Sequence, residues 1–252
     1  MRQSFHPISI FKEEPYSKII AYPNPTTRQV NARIKELKKL GVTKVSFQGT
    51  TRIENLNVLG KGYVGVVILA KFGSKVMALK IRRLDSQRDG MKNEEKLLKI
   101  ANTANVGPKL YSASKNFLLM EYLSGEKIGK WIDEIKTKGN VNKVKTVTRK
   151  ILQDCYKLDK IGLDHGELSS ISKHVIVGKK ISLIDFESSS TKRRVANVTS
   201  ATQGVFIGSG ISKKINQIYK LPRKDKIIKT LRNYKINSNK KNFDEILSVL
   251  KL

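Results

Sequence analysis

The fold turns on Leu59-Gly60-Lys61-Gly62-Tyr63-Val64-Gly65-Val66-Val67, a G-x-G-x-x-G-x-V pattern set between apolar runs. Glycines at this spacing let backbone amides approach phosphates, and the element that follows them separates the two known settings. A dinucleotide-binding loop opens a helix. Here Val64 to Ala70 continues as a strand and, after Gly73-Ser74, Val76 to Ile81 reads as another. Strand, glycine turn, strand suits a flap lying over nucleotide phosphates, although glycines at a hairpin tip also serve simply as a turn.

Met77-Ala78-Leu79-Lys80 ends the strand after the flap, twenty residues beyond Gly60. A lysine ending an apolar strand is either simply solvated or, in a V-A-I-K-like context, reaches the α/β-phosphates of a nucleotide, with Ala78 leaving room for a flat base. Such a lysine needs a carboxylate to hold it. Glu94 lies fourteen residues on, in a helix expected over about Arg88 to Asn102, and shares the i, i+3, i+4 face with Leu97 and Leu98. Glu95 points elsewhere. After Val106-Gly107-Pro108 come two short strands, Lys109–Ala113 and Phe117–Tyr122; the second leaves through Leu123-Ser124-Gly125 into a connector.

Farther out, residues 1–25 look irregular, broken by Pro7, Pro15, Pro23 and Pro25. A helix capped by Thr26 or Thr27 is expected to run to Leu40 and stop at Gly41; it either braces the sheet or recruits a partner. Strands are expected around Val45/Phe47, Ile53 and Val58–Leu59. From Ile128 to Leu158 the pattern is helical, with a break near Gly139–Asn140 and an apolar stripe of Val144, Val147, Ile151, Cys155 and Leu158. That stripe places Cys155 in a core. Val175–Val177 and Ile181–Ile184 flank Gly178-Lys179-Lys180 as a hairpin, and the remainder is mostly helical, broken at Leu221-Pro222. Around the hairpin stand His165-Gly166-Glu167-Leu168-Ser169 and Ile184-Asp185-Phe186-Glu187. Glu167 and Asp185 are eighteen residues apart, and a hairpin between them can bring both carboxylates to one cleft, one to orient a hydroxyl and one to hold Mg2+.

These motifs, in this order, resemble the protein-kinase-like fold. More narrowly, Val58-Leu59-Gly60-Lys61-Gly62, Val106-Gly107-Pro108-Lys109, Phe117-Leu118-Leu119-Met120-Glu121-Tyr122 and His165-Gly166-Glu167-Leu168 are similar to archaeal predicted serine/threonine kinases related to RIO kinases and the KEOPS-complex kinase subunit. The resemblance covers about residues 27–210. It implies an α+β, bilobal fold with a mainly antiparallel-sheet N-lobe and a short helical C-lobe lacking a full activation segment. The implied divisions are an N-terminal extension with one helix (1–57), an N-lobe (58–123), a C-lobe core (124–210) and a basic helical C-terminal part (211–252).

By the same resemblance, Gly60, Gly62 and Gly65 cover the phosphates of ATP, and Val67, Ala78, Met120, Glu121 and Leu123 line its base. Lys80 pairs with Glu94, Glu167 stands where the family has its catalytic aspartate, and Asp185 holds Mg2+ or Mn2+. There are departures. Glu167 replaces Asp, and the extra methylene moves the carboxylate by roughly 1–1.5 Å. The metal-binding Asn expected five residues later is Ser172, or His174 if two residues are inserted. Glu187 replaces the glycine after Asp-Phe, no A-P-E follows, and about 65 residues follow Asp185. RIO-like kinases also lack that segment.

The chain has 252 residues, and its 50 Lys+Arg against 21 Asp+Glu give a formal net charge of +29. Residues 211–252 hold 12 Lys+Arg and 3 Asp+Glu, and Lys192, Arg193 and Arg194 form a short basic run, so the excess is spread rather than confined to a tail. Such charge fits either a Lys-rich surface or an RNA or ribonucleoprotein partner. One cysteine excludes a disulfide framework and a multi-Cys zinc site. No apolar run approaches the ~20 residues that span a bilayer, and the N-terminus lacks a signal-peptide core, so a cytoplasmic protein without a membrane partner is expected. The leading expectation is an ATP/Mg-dependent serine/threonine protein kinase acting on a protein substrate or on itself, for instance at Ser188–Thr191. The alternatives are a nucleotide-switched RNA or ribonucleoprotein assembly factor (an ATPase or pseudokinase on the same fold) and a small-molecule kinase.

Overall fold

Val64 to Ala70 is an unbroken apolar run, the pattern of a strand covered on both faces, and its strand sits inside a sheet. A computed structural model describes residues 4–135, 140–208 and 210–252. The chain divides into two compact units, one of residues 1–99 and 108–122, the other of residues 100–107 and 123–252.

The first unit contains β1 (His6–Pro7), α1 (Ser17–Ile20), α2 (Thr27–Lys39), β2 (Val42–Ser46), β3 (Thr51–Ile53), β4 (Leu56–Val58), β5 (Gly60–Lys61), β6 (Gly65–Phe72) and β7 (Lys75–Arg82). Then come α3 (Lys92–Thr103), which runs across the division, β8 (Leu110–Ala113) and β9 (Phe117–Glu121). An antiparallel sheet runs β1-β2-β6-β7-β9-β8, with β5 also paired to β6; β3 and β4 form a separate hairpin.

Strand alternation sorts the residues of this sheet into two faces. Val66, Ile68, Ala70, Met77, Leu79, Ile81, Phe117 and Leu119 share one core with Val30, Ile34 and Leu37 of α2. The pairs Val67↔Lys80, Leu69↔Ala78, Ala78↔Met120 and Lys80↔Leu118 put Val67, Ala78, Lys80 and Met120 on the opposite face.

The proline-broken N-terminal segment is more ordered than its sequence pattern indicates. A 3₁₀ turn over Ile8–Lys12 and α1 bury Phe11, Ile19 and Ile20 completely in that same core. Each piece is a single turn, too short for periodicity to register, and burial rather than propensity fixes it.

The helix α2 starts with a reciprocal cap: Thr26 Oγ1 accepts the Gln29 N–H at 3.3 Å, and Gln29 Oε1 accepts the Thr26 N–H at 2.9 Å. Gly41, at φ +76°, ends it. Its inward face carries two charged residues. Arg33 donates to the carbonyls of Ile20 at 2.5 Å and Arg82 at 2.6 Å, and burial lowers its guanidinium to about 10. Glu36 accepts from Ser114 Oγ at 2.5 Å and from Asn116 at 2.8 and 2.7 Å. Both tie the helix to the sheet, so α2 is a brace.

The second unit contains β10 (Gly125–Lys127), α4 (Ile128–Glu134), α5 (Val141–Lys160), α6 (Ile171–His174), β11 (Val175–Gly178), β12 (Ile181–Leu183), α7 (Asn197–Phe206), α8 (Gly210–Ile218), α9 (Lys224–Ile236) and α10 (Lys240–Val249). The expected hairpin gains a third strand, β10, where a connector was expected. Gly125 and Gly178 face each other closely: a Cβ on Gly178 would lie 1.9 Å from the Ser124 carbonyl oxygen. Of the break expected near Gly139–Asn140, Gly139 lies outside the described residues, and Asn140 precedes α5.

The α5 stripe is buried throughout, and burial pushes the Cys155 thiol well above its usual range. On α5, Tyr156 stacks on Phe243 of α10 at 4.4 Å, and Asp159 accepts the Tyr234 hydroxyl of α9 at 2.9 Å. Together these elements make an α+β protein with antiparallel sheets. Among the described residues no helix is long and apolar enough to cross a membrane.

Candidate functional site

In the first unit, Gly60 and Lys61 pair with Val67 and Val66, and the Gly62 N–H donates to the Gly65 carbonyl at 2.8 Å, closing a tight tip that leaves Tyr63 exposed. Gly65 has a specific steric role: a Cβ there would lie 2.9 Å from the Ile81 carbonyl oxygen and 3.0 Å from Lys80 Cγ. The flap backbone therefore lies directly against the lysine stem.

Lys80 Nζ donates to Glu94 Oε1 at 2.8 Å, and the two residues are 5% and 7% exposed. Glu95, one residue on, pairs instead with Lys99 at 2.6 Å on the outer side of α3. Ala78 and Met120 are cross-strand partners on the Lys80 face, whereas Glu121 pairs with Met77 in register and its carboxylate accepts the Lys109 N–H at 3.1 Å. Leu123, half-buried, is the first residue of the second unit after Tyr122.

In the second unit the loop 162–167 is held from several sides. Gly162, at φ +71°, ends α5. Asp164 and Ser190 exchange backbone hydrogen bonds of 2.9 and 2.8 Å. The Asp164 carboxylate accepts from Arg193 Nε at 2.9 Å and from the Ala196 N–H at 3.1 Å. Asn197 Oδ1 accepts the His165 N–H at 2.8 Å, while its Nδ2 donates to Asp159 Oδ1 at 2.8 Å and to the Leu163 carbonyl at 2.7 Å.

His165 is fully buried, with Nε2 3.0 Å from the Ile184 carbonyl and its ring 5.0 Å from Phe186. Burial, with His174 nearby, lowers its pKa to about 4, so the ring is neutral at pH 7 and Nε2 is the donor. The next residue, Gly166, takes φ +90° and leaves no room for a side chain: a Cβ would sit 2.8 Å from the Ser188 carbonyl oxygen.

This anchoring leads to Glu167, which precedes a 3₁₀ turn over Leu168–Ser170. Gly204 of α7 lets that turn pack closely, since a Cβ there would lie 2.8 Å from the Leu168 and Ser169 carbonyl oxygens. The Glu167 side chain is 40% exposed, and its Oε2 is 3.7 Å from His174 Nε2. Ser172 packs over Gly129 of α4. Asp185 follows β12 at φ +70°, a left-handed conformation that costs a non-glycine residue energy and concentrates at functional sites. Phe186, buried beside His165, anchors it.

The side chain of Asp185 is a carboxylate, the hard oxygen donor type that Mg2+ takes. His174 faces Glu167, and Ser172 faces Gly129.

Asp164, Asn197 and Gly204 carry much of this geometry without having stood out in the sequence. The one available signal was Asp164 beside the His-Gly-Glu motif, an acid in want of a cation from the 192–194 run. That run is partly engaged: Arg193 holds Asp164, and Arg194 donates to the Lys235 carbonyl. In the Ser188–Thr191 run, Ser189 is buried, Ser190 Oγ accepts from the Lys192 and Arg193 N–H groups, and Thr191 is exposed.

No family model matches the chain. Over 98 residues, 39% of this chain and 81% of the other, it is 29% identical to Uncharacterized protein MJ1211 of Methanocaldococcus jannaschii.

Proposed function

We propose that the protein is an ATP- and Mg2+-dependent phosphotransferase of the protein-kinase-like, bilobal type, acting on serine or threonine hydroxyls. The observation that carries this reading is the buried Lys80–Glu94 ion pair, 2.8 Å long, on a strand against which Gly65 of the glycine hairpin packs. A buried ion pair is poor as a stabilising device, because desolvation offsets most of its attraction. It makes sense as a cation held in a fixed position to meet phosphate oxygens.

In this reading the amides around Gly60, Gly62 and Gly65 cover the phosphates, and Val67, Ala78 and Met120, on the Lys80 face, receive the base. Glu167 accepts the hydroxyl proton as the new oxygen–phosphorus bond forms and the bond to the β-phosphate oxygen breaks. His174, 3.7 Å away, orients that carboxylate. Asp185 holds the metal, which when bound offsets phosphate charge. Thr191 is the exposed acceptor of the Ser188–Thr191 run.

Incubation with γ-labelled ATP and Mg2+ or Mn2+ tests the proposal. Label on protein that disappears in Lys80→Ala and in Asp185→Ala is expected. A protein that binds ATP but leaves every added protein and itself unlabelled overturns the phosphotransfer reading.

A further inference from the structure

A row of alternating aromatic and cationic side chains crosses the end of the first unit's sheet. At its centre is Tyr111 on the edge strand β8. The register of β8 with β9 jumps between Leu110 and Ser112, which makes Tyr111 the extra residue of a bulge. A bulge re-aims its side chain away from the regular alternation, and Tyr111 is 40% exposed. Two ammonium groups stand at its ring, Lys75 Nζ at 5.7 Å and Lys109 Nζ at 5.5 Å from the centroid. Lys75 is in turn the cross-strand partner of Phe72, 38% exposed, across the two-residue turn Gly73-Ser74. Phe72 lies against Gly41 at the end of α2.

Neither lysine forms an ion pair among the described residues. The nearby carboxylate of Glu121 accepts from the Lys109 backbone. On α2, Arg28, Lys35, Lys38 and Lys39 are exposed, while Glu36 is turned inward.

Solvated lysines alone explain solubility, but they do not explain an exposed tyrosine ring held between two of them, with the exposed Phe72 at the strand position paired with one. Aromatic faces flanked by cations match one ligand chemistry, unpaired bases on a phosphate backbone: the rings stack on bases while the ammonium groups meet phosphates. A duplex keeps its bases stacked inside and offers the rings nothing. We propose that Phe72, Lys75, Lys109 and Tyr111 form a binding surface for single-stranded RNA. The surface lies within the first unit and does not depend on the phosphotransfer reading.

Fluorescence anisotropy with a labelled, unstructured 20-nucleotide RNA, and with the same strand annealed to its complement, tests this on the full chain. The single strand binds more tightly than the duplex. Tyr111→Ala weakens single-strand binding about fivefold or more and leaves the salt slope unchanged. The double variant Lys75→Gln/Lys109→Gln flattens the slope of log K against log salt by about 1.4, the change for two released counterions on a single strand. Lys229→Gln/Arg232→Gln, on α9 in the other unit, is the charge-matched control. Because Tyr111 lies on an edge strand at the extra position of a bulge, its removal should leave the thermal midpoint unchanged; Phe72→Ala, which loses a packing contact, is scored only if its midpoint also holds. Wild-type affinity in Tyr111→Ala, equal affinity for the duplex, or an equal slope change in the α9 control overturns the proposal.

Discussion

Lys80 Nζ and Glu94 Oε1 are 2.8 Å apart, and each belongs to a residue that is less than a tenth exposed. Removing one charge takes this partner away from the other in a low-dielectric site. Lys80→Met should destabilise the protein by about 3–5 kcal/mol, and Lys80→Met/Glu94→Leu should recover most of that loss, both read from urea unfolding. ATP binding, read by calorimetry, should be lost in both variants. A double variant that is stable but still binds ATP removes the lysine from the nucleotide site.

Gly65 and Gly60 provide a matched pair. A methyl on Gly65 meets the Ile81 carbonyl oxygen at 2.9 Å, whereas a methyl on Gly60 meets nothing within 4 Å. Gly65→Ala should cost about 1–3 kcal/mol as an overpacked site and raise KM for ATP severalfold by displacing the Lys80 stem. Gly60→Ala should leave stability close to wild type. Equal stability for the two would mean that the flap does not press on the lysine.

The side chain of Asn197 makes three hydrogen bonds that hold Leu163 and His165 in place ahead of Glu167. Asn197→Ala leaves buried polar groups unpaired and should cost about 2–3 kcal/mol, measured by chemical denaturation. On the proposed reading, phosphotransfer should fall through kcat with KM for ATP nearly unchanged, because the disturbed loop holds the proposed base Glu167 and not the proposed nucleotide residues.

The buried His165 makes stability depend on pH. Its folded pKa of about 4 lies below the ordinary value of 6.5, so below pH 6.5 the unfolded chain takes up a proton that the folded protein refuses. Its contribution is intact above about pH 6.5 and is lost as pH falls towards 4, up to about 3 kcal/mol. Asp154 and Asp159, whose carboxyls burial pushes up, act in the opposite sense at the acid end. The informative quantity is therefore the difference between wild type and His165→Gln in denaturant midpoints from pH 7 to pH 4.5. The gap in favour of wild type should narrow as pH falls.

Much of the first unit was legible because its signals are local. The helix of α2 followed from Val30, Ile34 and Leu37 with a threonine cap, and the choice of Glu94 over Glu95 followed from helical spacing with Leu97 and Leu98. The interactions that hold the Glu167 loop were not legible. Asp164 with Arg193, Asn197 with His165, and Gly204 with the 3₁₀ turn each join residues 29 to 36 positions apart. No periodicity links such partners. Arg33 misleads for the same reason: an arginine on a helix reads as solvated until the carbonyls of Ile20 and Arg82 converge on it.

From residue spacing alone came the strand pattern around the glycine turn, the inward direction of Glu94 and the apolar stripe through Cys155, because each repeats within a few residues of itself. Tertiary structure alone decided that Phe11, Ile19 and Ile20 complete the core, that β10 joins the hairpin through the Gly125–Gly178 contact, and that a bulge turns Tyr111 outward. Those outcomes depend on which distant surfaces can close without leaving a backbone group unpaired or a void unfilled, and the intact fold is what sets that condition.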